Sequence, residues 1–436
     1  MNSNVFNYID FFSGCGGLSL GLGSAGWDGI FAIEINPMAF QTFKQNLIDD
    51  NSTRHHFDNW PEWLSKEPHA IEDVLEDSSI RERFLSLAGT VMLVAGGPPC
   101  QGFSVAGARN GKDPRNLLVF KQIEAIKLLK PPFVIVENVG GFEKKFVSRP
   151  SDGGPISVAE EAVDELSKAG YSVGKVKINA ADYGVPQVRH RVILFGISKE
   201  LLPDVDAAEL FVDTLANVAI EQRKELGLAV DRYVNVEEAV SDLAGDEIVS
   251  DPEFPDYNTC KYLDVESSYQ KLMRKYVPSQ EVPSSHRFNK HSRKIVDLIT
   301  LAHKTQAPGR LSKDFLYENN CHSNKRYVLD TSIPSSTLTT APDEFFHYKQ
   351  PRIVTLREMA RLQSFPDDFA FYGRYTLNGP ARGVDVPRNA QIGNAIPPLV
   401  GRAFGKAIKE IYRKIQTNDP TLQQYIHQQI SMFEMQ

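Results

Sequence analysis

The sequence is poor in cysteine. Only Cys15, Cys100, Cys260 and Cys321 occur among 436 residues. None forms a CxxC pair, and none has histidines at zinc-ligand spacing, so no metal site and no disulfide framework is expected. Long apolar runs are missing too, and nothing is long enough to span a bilayer. The start, MNSNVFNYIDFF, lacks the charged leader and apolar core of a secretory signal. These absences make a cytoplasmic protein without membrane contact the expectation. Excess positive charge is also lacking, because the formal balance is −7. Taken alone, that argues against a nonspecific nucleic-acid binder. There are no internal repeats and no low-complexity tract.

What is present is unevenly arranged. Residues 201–260 hold 15 acids against 3 bases, whereas 261–330 hold 13 bases against 7 acids. The chain average therefore hides a basic segment. A chain of this length suggests two lobes. The first part alternates short apolar runs with helical patterns. Strands are expected at 8–12, 30–34, 91–95, 133–137, 173–178 and 192–195, and helices at 18–25, 37–47, 117–129 and 158–169. This pattern implies an α/β fold with a mainly parallel sheet covered on both faces. From about 200 to 347 little regular alternation is visible, as in SQEVPSSHRFNKHSRK. Order returns near 355–362, and 398–415 reads as a long helix.

Two loops carry chemistry. In DFFSGCGGLSLGL, glycines stand between a strand and a helix, where a ligand can approach backbone amides. Gly14, Gly16 and Gly17 are too crowded for the dinucleotide fingerprint, and Leu20 stands where its third glycine would fall. Glu34 closes the next strand about 20 residues on, where a carboxylate can accept ribose hydroxyls. A nucleoside-containing cofactor follows, with Phe12 placed to pack on its base and Asp73 to meet an adenine amino group. In AGGPPCQGFS, Cys100 follows two prolines at a strand's C-terminal end, where open parallel sheets bind ligands. A redox switch, a metal ligand, a buried thiol and a nucleophile all remain open for such a cysteine. Glu137 in FVIVENVGG and Arg189 and Arg191 in YGVPQVRHRVILFG are expected at the same sheet edge. One carboxyl and two guanidiniums beside a thiol suit a planar, polar substrate.

With these residues in view, the sequence closely resembles the DNA (cytosine-5)-methyltransferases, mostly bacterial modification enzymes. The motifs run in that family's order: DFFSGCGGLSLGL, EIN, GGPPCQGFS, RNLLVF, ENVGGF, DYGVPQVRHRVILFG, TLREMARLQSFPDDF and QIGNAIPPLVGRAFGKAI. The resemblance implies a Rossmann-like catalytic domain over 1–200 and 348–436 and a target-recognition domain over 201–347. It implies S-adenosyl-L-methionine as methyl donor, with Phe12 and Glu34 as contacts and Pro99, Asn394 and Ala395 lining its site. The family's Gly-Asp-Ile pattern is altered here, and IEDVLED offers Asp73 without the glycine. Double-stranded DNA is the implied substrate, with a paired restriction endonuclease as functional partner and a monomer as the expected state.

The resemblance also implies a mechanism. Cys100 attacks C6 of a cytosine flipped out of the duplex, because C6 is unreachable in a stacked helix. Glu137 holds N3 and the exocyclic amine, Arg191 contacts O2, and Arg189 supports the site or a phosphate. The thiol is mostly protonated at neutral pH, and the arginines favour the thiolate. Residues 101–115 would close over the base, with Gln101, Ser104 and Arg115 on DNA. Arg287, Lys290, Arg293, Lys294, Thr337 and Leu338 are the remaining expected DNA contacts. Competing readings are a tRNA cytosine-5 methyltransferase on the same scaffold, a non-catalytic DNA-binding relative and a nicotinamide oxidoreductase.

Overall fold

The structure, a computed structural model, describes residues 6–49, 51–99, 117–138, 157–203, 205–277, 281–321, 325–341, 343–376 and 385–434. Cys100, Gln101, Ser104 and Arg115 lie outside the described residues. The first half builds one sheet from β1 (Asn7–Phe11), β2 (Asp28–Ile33), β3 (Leu93–Gly96), β4 (Phe133–Asn138), β5 (Tyr171–Asn179) and β6 (His190–Ser198). Between these strands run α1 (Gly17–Ser24), α2 (Pro37–Leu47), α3 (Ile71–Glu76), α4 (Ser78–Leu85), α5 (Leu118–Leu129) and α6 (Val158–Lys168). The strand order is β2-β1-β3-β4-β6-β5. Strands β1 to β4 pair in parallel, and β6 runs antiparallel to both β4 and β5. The reason is local. Each earlier strand reaches the next through a helix, whereas only a short 3-10 turn and a loop separate β5 from β6, too little chain for a parallel crossover.

The next element departs from the sequence expectation. Where little alternation was visible, α7 (Ala207–Glu225) runs for 19 residues. Its buried positions Ala207, Leu210, Phe211, Thr214, Leu215, Val218, Ala219 and Gln222 follow the three–four spacing of a helix face. Phe211 stacks on Phe195 of β6 with ring centroids 3.9 Å apart. The helix therefore shares the core of the sheet.

Beyond it come α8 (Val236–Val240), β7 (Ile248–Ser250), β8 (Asn258–Cys260) and α9 (Ser268–Met273). Then follow α10 (Arg293–Thr305), β9 (Gly309–Arg310), α11 (Lys313–Glu318), β10 (Tyr327–Val328) and β11 (Phe345–Phe346). Leu298, Ile299, Ala302, Leu311, Phe315, Leu316, Val328, Phe346 and Ile353 form a small separate core around α10 and α11. The chain then returns to the main core through α12 (Leu356–Leu362), α13 (Arg388–Asn394), α14 (Pro398–Gln416) and α15 (Pro420–Glu434). No described helix is long and apolar enough to cross a membrane.

Helix α12 is an ionic knot. Arg357, Glu358, Arg361 and Gln363 are all fully buried. Arg361 reaches Asp367 at 2.6 and 2.7 Å and Asp242 at 3.0 and 3.1 Å. Arg352 grips Glu358 with two bonds of 2.8 and 2.6 Å. Burial raises the Glu358 carboxyl, but the Arg352 guanidinium outweighs it and holds the group well below the usual range.

Candidate active site

The C-terminal ends of β1 to β4 lie along one edge. Phe12 leaves β1 with φ of 58°, a left-handed conformation uncommon for an aromatic residue. The turn that follows is tied to the second strand. Glu34 accepts the Gly14 N–H at 3.0 Å through Oε2 and the Asn36 N–H at 2.7 Å through Oε1. Burial raises the Glu34 carboxyl, and these backbone donors oppose the rise. Under the turn, Asp10 is buried in β1 and accepts the Ser19 hydroxyl at 2.7 Å. Burial pushes Asp10 up to about 7, against the Ser19 bond. Gly16, with φ of 95°, starts α1. Gly17 is required by a close approach, because a Cβ there would stand 2.2 Å from the Ile396 carbonyl oxygen. The glycine turn and the 394–396 loop therefore touch.

Asn394 is exposed and Ala395 half-buried, at the end of α13. Ile35, next to Glu34, is 69% exposed. The motif reading passed over it, although a lone apolar residue after the strand-end acid was visible in EIN. Asp73 sits in the first turn of α3, where its carboxylate accepts the Ala70 N–H at 2.9 Å and lies 3.5 Å from His69 Nδ1. The chain does come back to Glu34 at this point, because the His69 N–H donates to the Glu34 carbonyl.

The second group of residues meets beside the same edge. Glu137 near the end of β4 and Arg191 in β6 form an ion pair, with Nε 2.8 Å from Oε1 and both side chains nearly buried. Burial pulls the Arg191 pKa down, and the Glu137 charge opposes it. A Cβ on Gly97 would stand 3.1 Å from Glu137 Oε2, so the carboxylate faces the loop that leads to Pro98 and Pro99. Asn138 Nδ2 donates to the Pro98 carbonyl at 3.4 Å. Glu137, Arg189 and Arg191 line one small cavity with Ile178, Ala180, Ile193, Ile396 and Pro397.

Arg189 differs from its neighbour. It is 1% exposed, and its guanidinium donates to the carbonyls of Leu338 (3.1 Å), Gly393 (2.8 Å) and Ala395 (3.2 Å). Of the two roles expected for it, support of the site fits this burial, and a phosphate contact does not.

Two of the expected DNA contacts require correction. Leu338 is 1% exposed in the main core, where its side chain cannot touch a nucleic acid. Arg287 is also buried, under the rings of Tyr375, Tyr257 and Phe254 at 3.7, 4.1 and 4.7 Å. Its charge is spent on cation–π contacts instead of a phosphate. Lys290, Arg293 and Lys294 are exposed. Thr337 is exposed too, with its hydroxyl donated to the Val188 carbonyl at 2.8 Å.

The chain is similar to known methyltransferases along most of its length. The chain is 29% identical over 426 residues to the type II methyltransferase M.DdeI of Desulfomicrobium norvegicum, covering 94% of this chain and 90% of that one. It is 28% identical over 422 residues to the type II methyltransferase M1.HphI of Haemophilus parahaemolyticus, covering 94% and 88%. Among solved structures it shares its fold with a DNA modification methyltransferase encoded within an E. coli prophage, at a TM-score of 0.64 and 24% identity over 94% of this chain and 99% of that one. The model of the C-5 cytosine-specific DNA methylases matches residues 6–410. The chain belongs to that family of DNA cytosine-5 methyltransferases.

Proposed function

We propose that the protein transfers a methyl group from S-adenosyl-L-methionine to C5 of a cytosine flipped out of a specific double-stranded DNA sequence, through a covalent adduct between Cys100 and C6. The observation that carries this reading is the Glu137–Arg191 pair, nearly buried and facing the loop that leads to Cys100. A carboxyl held by a guanidinium suits a ring that offers N3, an exocyclic amine and O2.

The donor supplies an activated methyl group. The residues at the β1–β2 edge fit it: Phe12 and Ile35 offer apolar surface for a base, and Glu34 offers a fixed carboxylate for ribose hydroxyls. Pro99, Asn394 and Ala395 would line the remainder, with Gly14, Gly16 and Gly17 giving close backbone approach. Asp73 stays a candidate for the adenine amine. On the substrate side, the Cys100 thiolate forms a bond to C6 and drives electron density to C5. Glu137 stabilises the charge that develops at N3, and Arg191 orients O2. Loss of the C5 proton then expels Cys100 and restores the aromatic ring. Arg189 holds the surrounding backbone.

The DNA backbone is assigned to Lys290, Arg293 and Lys294. Arg293 and Lys294 stand exposed in the first turn of α10, Arg293 beside Asp297 at 3.0 Å and Lys294 donating to the Asn320 carbonyl at 3.2 Å, and both remain open to solvent for a phosphate. Thr337, Gln101, Ser104 and Arg115 complete the proposed contacts. The division into catalytic and recognition parts belongs to the same reading. The packing of α7 on the sheet, with Val236, Val240, Tyr269 and Met273 in the same core, supports a recognition part centred on the separate core around α10 and α11. Partnership with a restriction endonuclease is part of this reading, supported by the relatives' names as type II methyltransferases, and a monomeric state and cytoplasmic action on DNA are proposed with it.

Expression in a methylation-free bacterial host, followed by bisulfite sequencing, tests the activity. Methylated cytosine at one recurring DNA sequence is expected. An active preparation that marks tRNA and leaves DNA unmodified would overturn the reading.

A further inference from the structure

Thr337 is proposed near DNA and the 394–396 loop near the methyl donor, and the segment around Thr337 is tied to that loop. Two glutamines join them. Gln187 and Gln363 are both fully buried. A buried primary amide is costly unless its donors and acceptor are matched, and here they are matched in one direction. The Leu338 N–H donates to Gln187 Oε1 at 3.0 Å. Gln187 Nε2 donates to the Leu362 carbonyl at 3.0 Å and to Gln363 Oε1 at 2.9 Å. Gln363 Nε2 then donates to the carbonyls of Ile392 at 2.8 Å and Ala395 at 3.3 Å.

Arg189 runs beside this relay and touches the same two ends, the carbonyls of Leu338 and Ala395. Leu338 is thus held at both its N–H and its C=O. Backbone bonds from Val188 to Ser335 and from Ser335 to Pro186 lock the register of the segment. No other side chain of similar size satisfies the relay. Glutamate at 363 would turn an oxygen on two carbonyls, and leucine would leave the Gln187 amide and both carbonyls without that partner.

We propose that Gln187 and Gln363 are positioning residues that hold the 394–396 loop in the geometry the methyl donor needs, braced against the 335–338 segment. This rests on the reading of that loop as donor-lining. The relay itself touches neither donor nor base, so its loss weakens donor binding more than it slows the methyl transfer of a saturated enzyme.

The test uses the full chain. S-adenosyl-L-homocysteine affinity is measured by calorimetry, with KM for the donor and kcat at saturating donor, for wild type, Gln363→Leu and Gln187→Leu. Gln270→Leu serves as the control. It removes a fully buried glutamine bonded to Ser241 at 2.8 Å, outside this brace. Each relay variant is expected to raise Kd and KM about tenfold, the scale of one lost buried hydrogen bond, with kcat changed less than about threefold. The control is expected to lower thermal stability without moving Kd. Folded relay variants with Kd within about twofold of wild type would overturn the proposal, as would an equal loss in Gln270→Leu. The two leucine variants cut the relay at different points, so one that fails to fold leaves the other to decide. Wild type that binds no S-adenosyl-L-homocysteine would instead overturn the donor reading itself.

Discussion

Glu137 and Arg191 show how much a single residue's meaning depends on its partner. Each alone reads as an ordinary strand-end charge, but a 2.8 Å ion pair joins them, both nearly buried. Glu137→Gln is expected to lower kcat by roughly 10²–10³, the range for a positioned proton-handling group. Its Kd for S-adenosyl-L-homocysteine, read by calorimetry, is expected to stay within about twofold, because the Glu137 carboxylate faces Gly97 and the proposed base, not the Phe12–Glu34 edge. Cys100→Ser is expected to bring turnover below detection in a tritiated-methyl assay, and near-normal turnover would remove the covalent step. That Glu137 and Arg191 share one sheet edge was legible in the sequence, because strand ends bring charged side chains together. Arg287 was not legible. Its charge pointed to DNA, and only folding brings Phe254, Tyr257 and Tyr375 around it from distant parts of the chain.

Among the elements, α12 concentrates energy that its sequence conceals. TLREMARLQ looks amphipathic and charged, yet its ionic residues are inside. Arg361→Met would leave Asp242 and Asp367 buried without their main partner, at a cost of about 3–5 kcal/mol in urea unfolding. The histidines beside this knot set an acid limit. Burial, with Arg352 adding and Glu358 opposing, lowers His286 to about 4 and His347 to about 3. Both bind protons more readily when unfolded, so their contribution to stability is complete above about pH 6.5 and falls as pH drops toward 4. His286 alone would account for roughly 2 kcal/mol by pH 5, read as the difference between wild type and His286→Gln in how urea stability changes with pH, since Asp10, raised to about 7, works in the opposite direction. Helix α7 teaches the opposite lesson. Its apolar spacing was present in the sequence, but Val212 and Ile220, apolar and exposed on the outer face, blurred the period.

For the whole molecule, the basic segment follows a charge pattern that the net balance of −7 conceals. Converting Lys290, Arg293 and Lys294 together to glutamine is expected to reduce the slope of log K against log salt for DNA binding by about 2–3. Arg287→Gln is expected to leave that slope unchanged and to cost about 1–3 kcal/mol of stability through its lost ring contacts. Fluorescence anisotropy across a salt series separates the two.

The order of motifs, the alternation of strands and helices, the strand-end acids and the Pro-Cys loop were all readable in the chain. They are local, because periodicity and turn chemistry act over a few residues. The antiparallel β6 was local too, since the connection from β5 is too short for a crossover helix. Tertiary structure alone decided two things. It sorted the arginines, making Arg191 a partner of Glu137, Arg189 a buried strut and Arg287 an aromatic-capped core residue. It joined Leu338 to Ala395 through Gln187 and Gln363. Each of these depends on contacts between residues far apart in sequence, and a charge or an amide carries no local sign of whether water or protein will surround it.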